Sequence, residues 1–141
     1  MQRTGFVIIL SLWFILLGTA QAAQARPSIL YYTVNDTQPQ TQFIIELSED
    51  VEYKTFTLSN HDRLVIDLKH ARWKVPENTP RHFKGPRVEH VRYGWPKKGV
   101  TRIVLDLKEK VHIQDTYMVV PQSEGEPHRL IVILYPPEAA I

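Results

Sequence analysis

The stretch Thr41–Leu47 reads TQFIIEL, and Thr101–Leu107 reads TRIVLDL. In both, every second residue from Phe43 or Ile103 onward is apolar and most of the residues between are polar, which is the period of a strand with one buried face. Phe43, Ile45 and Leu47 fall on one side of the first stretch, and Ile103, Leu105 and Leu107 on one side of the second. The two stretches also match each other, and Val51 follows the first at the offset at which Val111 follows the second. RLVI at Arg63–Ile66 matches RLIV at Arg129–Val132. The chain therefore contains an internal repeat, over about 29–69 and 88–135.

Working outward, each copy supplies four strand-like segments. The first copy holds Ile29–Val34, Thr41–Leu47, Val51–Leu58 and Arg63–Leu68; the second holds Val88–Trp95, Thr101–Leu107, Val111–Val120 and Arg129–Tyr135. Polar turns separate them, at 48–50, 59–62, 96–99 and 123–127. Nothing from Arg26 to Ile141 has a helical period. A four-stranded sheet with one apolar face cannot bury it alone, whereas two such sheets face to face enclose a core about 10 Å thick. The expected fold is all-β: a sandwich of two pseudo-symmetric four-stranded sheets, with Leu64, Ile66 and Leu68 joining the core residues already named.

The same alternation defines an outward face. It carries Gln42, Ile44 and Glu46; Arg63, Val65 and Asp67; Arg102, Val104 and Asp106; and Arg129, Ile131 and Ile133. Arg-x-apolar-x-Asp thus recurs once in each half. Arg offers a planar donor fork and Asp offers acceptors, the combination that sugar hydroxyls, amides and carboxylates need. The plain alternative is a pair of surface ion pairs, Arg63–Asp67 and Arg102–Asp106, worth roughly 0–1 kcal/mol each. The apolar Ile44, Val65, Val104 and Ile131 between the charges favour a binding face.

Between the copies, Lys69–Lys98 is basic and aromatic. Lys69, Arg72, Lys74, Arg81, Lys84, Arg87, Arg92, Lys97 and Lys98 stand against Glu77 and Glu89, with Trp73, Phe83, Tyr93 and Trp95 among them. Ala71–Pro86 reads as a loop, with Pro76, Pro80, Gly85 and Pro86. The bias points to an anionic partner; the alternative is a solvated loop whose Trp73 and Trp95 cap the core.

The N-terminus sets the compartment. Arg3 precedes the uncharged run FVIILSLWFILLG at Phe6–Gly18, and Ala20-Gln21-Ala22 and Ala23-Gln24-Ala25 offer two cleavage sites. This is a secretory signal pattern, and the run is shorter than the roughly 20 residues that span a bilayer. The expectation is a cleaved signal peptide over 1–25, a domain over 26–141, a periplasmic location and no transmembrane segment after cleavage. Export makes nucleic acid an unsuitable partner for the basic segment. There is no cysteine, hence no disulfide framework, and the formal net charge is only +2.

Nothing in the sequence supports catalysis. The six histidines (His61, His70, His82, His90, His112 and His128) form no metal-ligand spacing, and no nucleophile motif occurs. No cofactor and no metal are expected.

Three stretches carry a family resemblance: TFTLSNHDRLVIDL (Thr55–Leu68), VEHVRYGWPKKGVTRIVLDL (Val88–Leu107) and HRLIVILYP (His128–Pro136). In this order, over about Ile29–Pro136, the chain resembles the AMIN domain, the N-terminal targeting module of periplasmic N-acetylmuramoyl-L-alanine amidases, which also occurs in type IV pilus secretins. The resemblance implies a sandwich of two symmetric four-stranded sheets, peptidoglycan binding and placement of an attached enzyme at the division site. Its exposed motifs fall on Arg63 and Asp67, on Arg92 and Gly94, and on Arg102 and Asp106. In the amidases a linker and a zinc-dependent catalytic domain follow; here Tyr135–Ile141 reads as the start of such a linker. The expectation is a non-catalytic peptidoglycan-binding module, with Arg63, Asp67, Arg92, Arg102 and Asp106 on the ligand and Trp95 stacking on a sugar. Two other readings are an adaptor for divisome or pilus proteins and the remnant of an amidase.

Overall fold

The computed structural model describes residues 25–60 and 62–137. Apart from Ala25, the expected signal peptide lies outside them, as do His61 and the last four residues. The described residues form strands β1 (Ser28–Asp36), β2 (Thr41–Leu47), β3 (Tyr53–Leu58), β4 (Arg63–Lys69), β5 (Arg72–Trp73), β6 (Val88–Lys97), β7 (Val100–Leu107), β8 (His112–Val119) and β9 (His128–Tyr135). They make the expected sandwich. One sheet runs β5-β1-β2-β9-β8 and the other β3-β4-β7-β6. The additional fifth strand is the two-residue β5, parallel to β1. No helix among the described residues is long and apolar enough to cross a membrane.

The repeat does not divide between the sheets. Each takes two strands from each copy, and the copies meet at β2–β9 in one sheet and β4–β7 in the other. Exchanging the copies maps β1-β2-β9-β8 onto β6-β7-β4-β3, so the pseudo-symmetry swaps the sheets. Phe43, Ile45 and Leu47 then face Leu64, Ile66, Ile103 and Leu105 across a core in which all seven are fully buried. Truncating such a leucine to alanine costs about 2–5 kcal/mol.

The register shifts at four places, in β1, twice in β6 and in β8, and two of these shifts re-aim core and face residues. In β1 the register shifts between Ile29 and Tyr31, so that both Ile29 and Tyr32 enter the core. In β6 it shifts between Val88 and His90. Val88 is thereby buried, while His90 and Arg92 turn to the outer face beside Asp106 and Val104. A bulge of this kind re-aims the side chains that follow it.

The segment expected as a loop, Ala71–Pro86, contains β5 and packs closely. Ala71, Val75 and Thr79 are buried, and the Tyr32 hydroxyl donates to the Pro80 carbonyl at 2.7 Å. Arg87, read in the sequence as part of the basic surface, is fully buried. Its Nη1 donates to the Thr37 carbonyl and to Thr41 Oγ1, both at 2.9 Å, and its Nη2 to Gln38 Oε1 at 2.8 Å. Glu109 lies 3.1 Å from its Nε. Asp36 completes the clasp: Oδ2 accepts the Arg87 and Val88 amides, and Oδ1 accepts the Thr41 hydroxyl. This guanidinium ties the segment between the copies to the β1–β2 turn.

Candidate functional site

The outer face of the four-stranded sheet collects the predicted residues. Register places Arg63 opposite Asp106 and Asp67 opposite Arg102 on the central strands β4 and β7. The ion pairs therefore join the two halves and do not form within either motif, as Arg63–Asp67 or Arg102–Asp106 would have done. Arg102 binds Asp67 through Nε and Nη2 at 2.8 and 2.9 Å. Arg92 reaches diagonally from β6 to bind Asp106 in the same two-pronged way, at 2.6 and 2.9 Å. Such forks fix geometry as well as charge.

Arg63 is left with less. Its Nε lies 3.3 Å from Asp106, but that nitrogen is buried and has no hydrogen-bond partner among the described residues. The hydrogen bond from Arg102 holds the Asp67 carboxyl below the usual carboxylate range, with burial opposing. Arg92 does the same for Asp106, and both arginines are pushed up in turn.

An apolar row lies between the charges. Phe56, Val65, Val104 and the stem of Arg92 stand side by side across β3, β4, β7 and β6. Val65 points outward yet is only 1% exposed. The Arg102 guanidinium lies over the Phe56 ring at 5.6 Å and the Lys54 ammonium at 5.4 Å, within cation–π reach. Lys54 and Phe56 were not picked out from the sequence. The alternation in YKTFTL, which places Lys54, Phe56 and Leu58 on one side, was the available signal.

Gly94 sits opposite Arg102. A Cβ there would meet nothing within 4 Å. The missing side chain leaves a shallow recess of about 280 Å³, walled by Arg92, Trp95, Pro96 and Arg102. Trp95 is 64% exposed and stands at the corner of the face. At the opposite end, beyond Arg63 and Asp106, the face opens into a polar groove of about 630 Å³ that includes His82 and His90. These two imidazoles stack at 4.3 Å. Among the described residues no three His, Cys, Asp or Glu side chains converge as a metal site.

The other sheet keeps half of this arrangement. Arg129 and Glu46, the counterparts of Arg63 and Asp106, lie 3.9 Å apart. Gln42 and Ile133 stand where the Arg102–Asp67 pair stands. The full constellation is therefore built on one face.

A model of the AMIN domain family matches residues 32–134. The chain is 32% identical over 103 residues to N-acetylmuramoyl-L-alanine amidase AmiC of Neisseria meningitidis serogroup B (strain ATCC BAA-335 / MC58), covering 68% of this chain and 23% of that protein. It thus spans about a quarter of that relative's length. With the matched region running from β1 into β9, the chain belongs to the AMIN domain family.

Proposed function

We propose that this domain is a non-catalytic, peptidoglycan-binding module that positions cell-wall amidase activity in the periplasm. The observation that carries the reading is the outer face of the four-stranded sheet. Lys54, Arg63, Arg92 and Arg102 surround only two carboxylates, Asp67 and Asp106. Each two-pronged pair uses two of five guanidinium N–H groups, so donors remain for a ligand on arginines already held in place. Peptidoglycan presents the matching acceptors: stem-peptide carboxylates, amide carbonyls and sugar hydroxyls. The apolar row and the Gly94 recess offer room for an acetyl or methyl group. The signal-type N-terminus supports delivery to the periplasm, and the amidase relative supports the cell wall as the setting.

Sedimentation with purified sacculi tests the reading. The full chain is expected in the pellet, and the double variant Arg63→Ala with Arg102→Ala in the supernatant with its melting temperature lowered by only a few degrees. Full retention of that variant would remove the face from consideration. A second reading, an adaptor for an envelope protein, draws on the other sheet. There Tyr117 stands beside the outward Ile131 and Ile44, and Tyr31 lies diagonal to Ile44, opposite Glu46; both tyrosines are 38% exposed. That reading expects capture by a partner protein and no binding to bare sacculi.

A further inference from the structure

Where β6 turns into β7, the end of the sandwich carries a second cleft of about 590 Å³, which shares Trp95 with the Gly94 recess. Trp73 and Trp95 wall it, and Arg26, Arg72 and Lys98 surround it. No carboxylate among the described residues lines it. Its base is a close meeting of two backbones. His70 adopts a left-handed conformation, φ 55°, and its amide donates to the Gly99 carbonyl at 2.7 Å. Gly99 has φ 80°, and a Cβ on it would stand 3.2 Å from the His70 ring. Both the backbone angle and the space call for glycine there.

The Trp73 wall is fixed from behind. Trp73 stacks on Tyr93 at 3.8 Å and 12°. Arg81 lies over the Tyr93 ring at 5.3 Å, and Trp95 meets Tyr93 edge-on at 5.8 Å. Trp73 is thus held by stacking on one face, and the exposed Trp95 stands across from it with one edge contact, both lining a cationic cleft. Indole faces take the C–H face of a pyranose, and the cations take an anion. A ligand that satisfies both is a sugar ring bearing its own carboxylate.

Muramic acid is such a sugar, but only in one state. In an intact strand its lactyl carboxyl is tied up as the amide to the stem peptide and carries no charge. Hydrolysis of that amide adds water, leaves the carboxylate on the sugar and frees the alanine amine. We propose that the Trp73–Trp95 cleft binds muramic acid residues whose lactyl carboxylate is free, that is, glycan strands stripped of their peptides. The inference rests on the peptidoglycan reading above and adds a preference to it. The module recognises the product of muramoyl–alanine amide hydrolysis and so gathers where cutting has begun.

The test uses tryptophan emission. The chain has three tryptophans, Trp13, Trp73 and Trp95, so in a Trp13→Phe background of the full chain both remaining indoles line the cleft. Glycan strands stripped by an amidase are expected to bind at least tenfold tighter than intact strands of the same length, with a change in emission. Arg72→Ala with Lys98→Ala is expected to abolish that preference while still pelleting with intact sacculi. Lys74→Ala with Lys84→Ala, a charge-matched control outside the residues that line the cleft, keeps the preference. Equal binding of stripped and intact strands, an unchanged preference in the Arg72/Lys98 variant, or equal competition by free stem peptide would overturn the proposal. If Arg63→Ala with Arg102→Ala still pellets with sacculi while the stripped-strand preference persists, the outer-face reading fails and the cleft proposal stands.

Discussion

Asp67 and Arg102 face each other across β4 and β7 and are joined by two hydrogen bonds of 2.8 and 2.9 Å. The pair joins the two copies of the repeat at the centre of one sheet. Its surroundings lower the Asp67 carboxyl below the usual range, and Arg92 lowers Asp106 likewise. A carboxylate depressed in the folded state contributes stability that is fully present above its unfolded value, about pH 4, and is lost as pH falls through the folded value. Urea unfolding between pH 2 and 6 is expected to show stability falling on the acid side of about pH 4. Asp67→Asn with Asp106→Asn should flatten that fall and cost about 1–2 kcal/mol near pH 7, the pairs being partly exposed. An acid slope that is unchanged in the variant would show that these carboxylates do not set it.

Gly94 provides a test of the recess that leaves the charges alone. It has no strained backbone angle, and open space lies where its Cβ would be. Gly94→Leu should therefore fold as well as the parent, since a branched apolar residue suits a strand better than glycine does. The leucine would fill the recess between Arg92, Trp95 and Arg102. Sacculus binding is expected to fall by about tenfold with the melting temperature kept within a few degrees. Undiminished binding would mean that the ligand does not enter the recess.

Arg87 is the opposite case, a charge that holds the fold and does not meet a ligand. Removing one member of a buried, bonded charge cluster costs about 3–5 kcal/mol. Arg87→Ala is expected to lower stability by that order, measured by urea unfolding. Arg87→Lys should recover little of it, because one ammonium cannot reach Thr37, Thr41, Gln38 and Glu109 together. Whatever fraction remains folded should bind sacculi normally. A mild effect of Arg87→Ala would show that the clasp is not needed to seat the Ala71–Pro86 segment.

How much of this the sequence shows follows from what period-two alternation can encode. It reports which side chain points which way along one strand, so Phe43, Ile45, Leu64, Ile103 and Leu105 were legible as core. Arg63, Asp67, Arg102 and Asp106 were equally legible as one outward stripe. It does not report which remote strand lies alongside, so the partners of those arginines could not be read. The bulge before His90 shifts the faces of β6 with no composition signal. Arg87 reads as surface because a buried guanidinium is intelligible only once Asp36, Thr37, Gln38 and Glu109 are folded around it.

The pseudo-symmetry permits a test of what on the proposed binding face matters. Gln42 and Ile133 face each other on the five-stranded sheet where Arg102 and Asp67 face each other on the four-stranded one. Gln42→Arg with Ile133→Asp should rebuild the missing pair beside Arg129 and Glu46. Both positions are outward and partly exposed, but Asp115 on β8 stands opposite position 133, so stability should fall by about 1 kcal/mol. The rebuilt pair is neutral and brings no counterpart of Arg92 or the Gly94 recess. Introduced into the Arg63→Ala, Arg102→Ala background, it is expected not to restore sedimentation with sacculi. That outcome would assign recognition to the surplus of fixed cations over carboxylates and to the recess beside them. Restored sedimentation would instead show that one cross-strand Arg–Asp pair is enough to hold the ligand, and the requirement for Arg63 and Gly94 would fall.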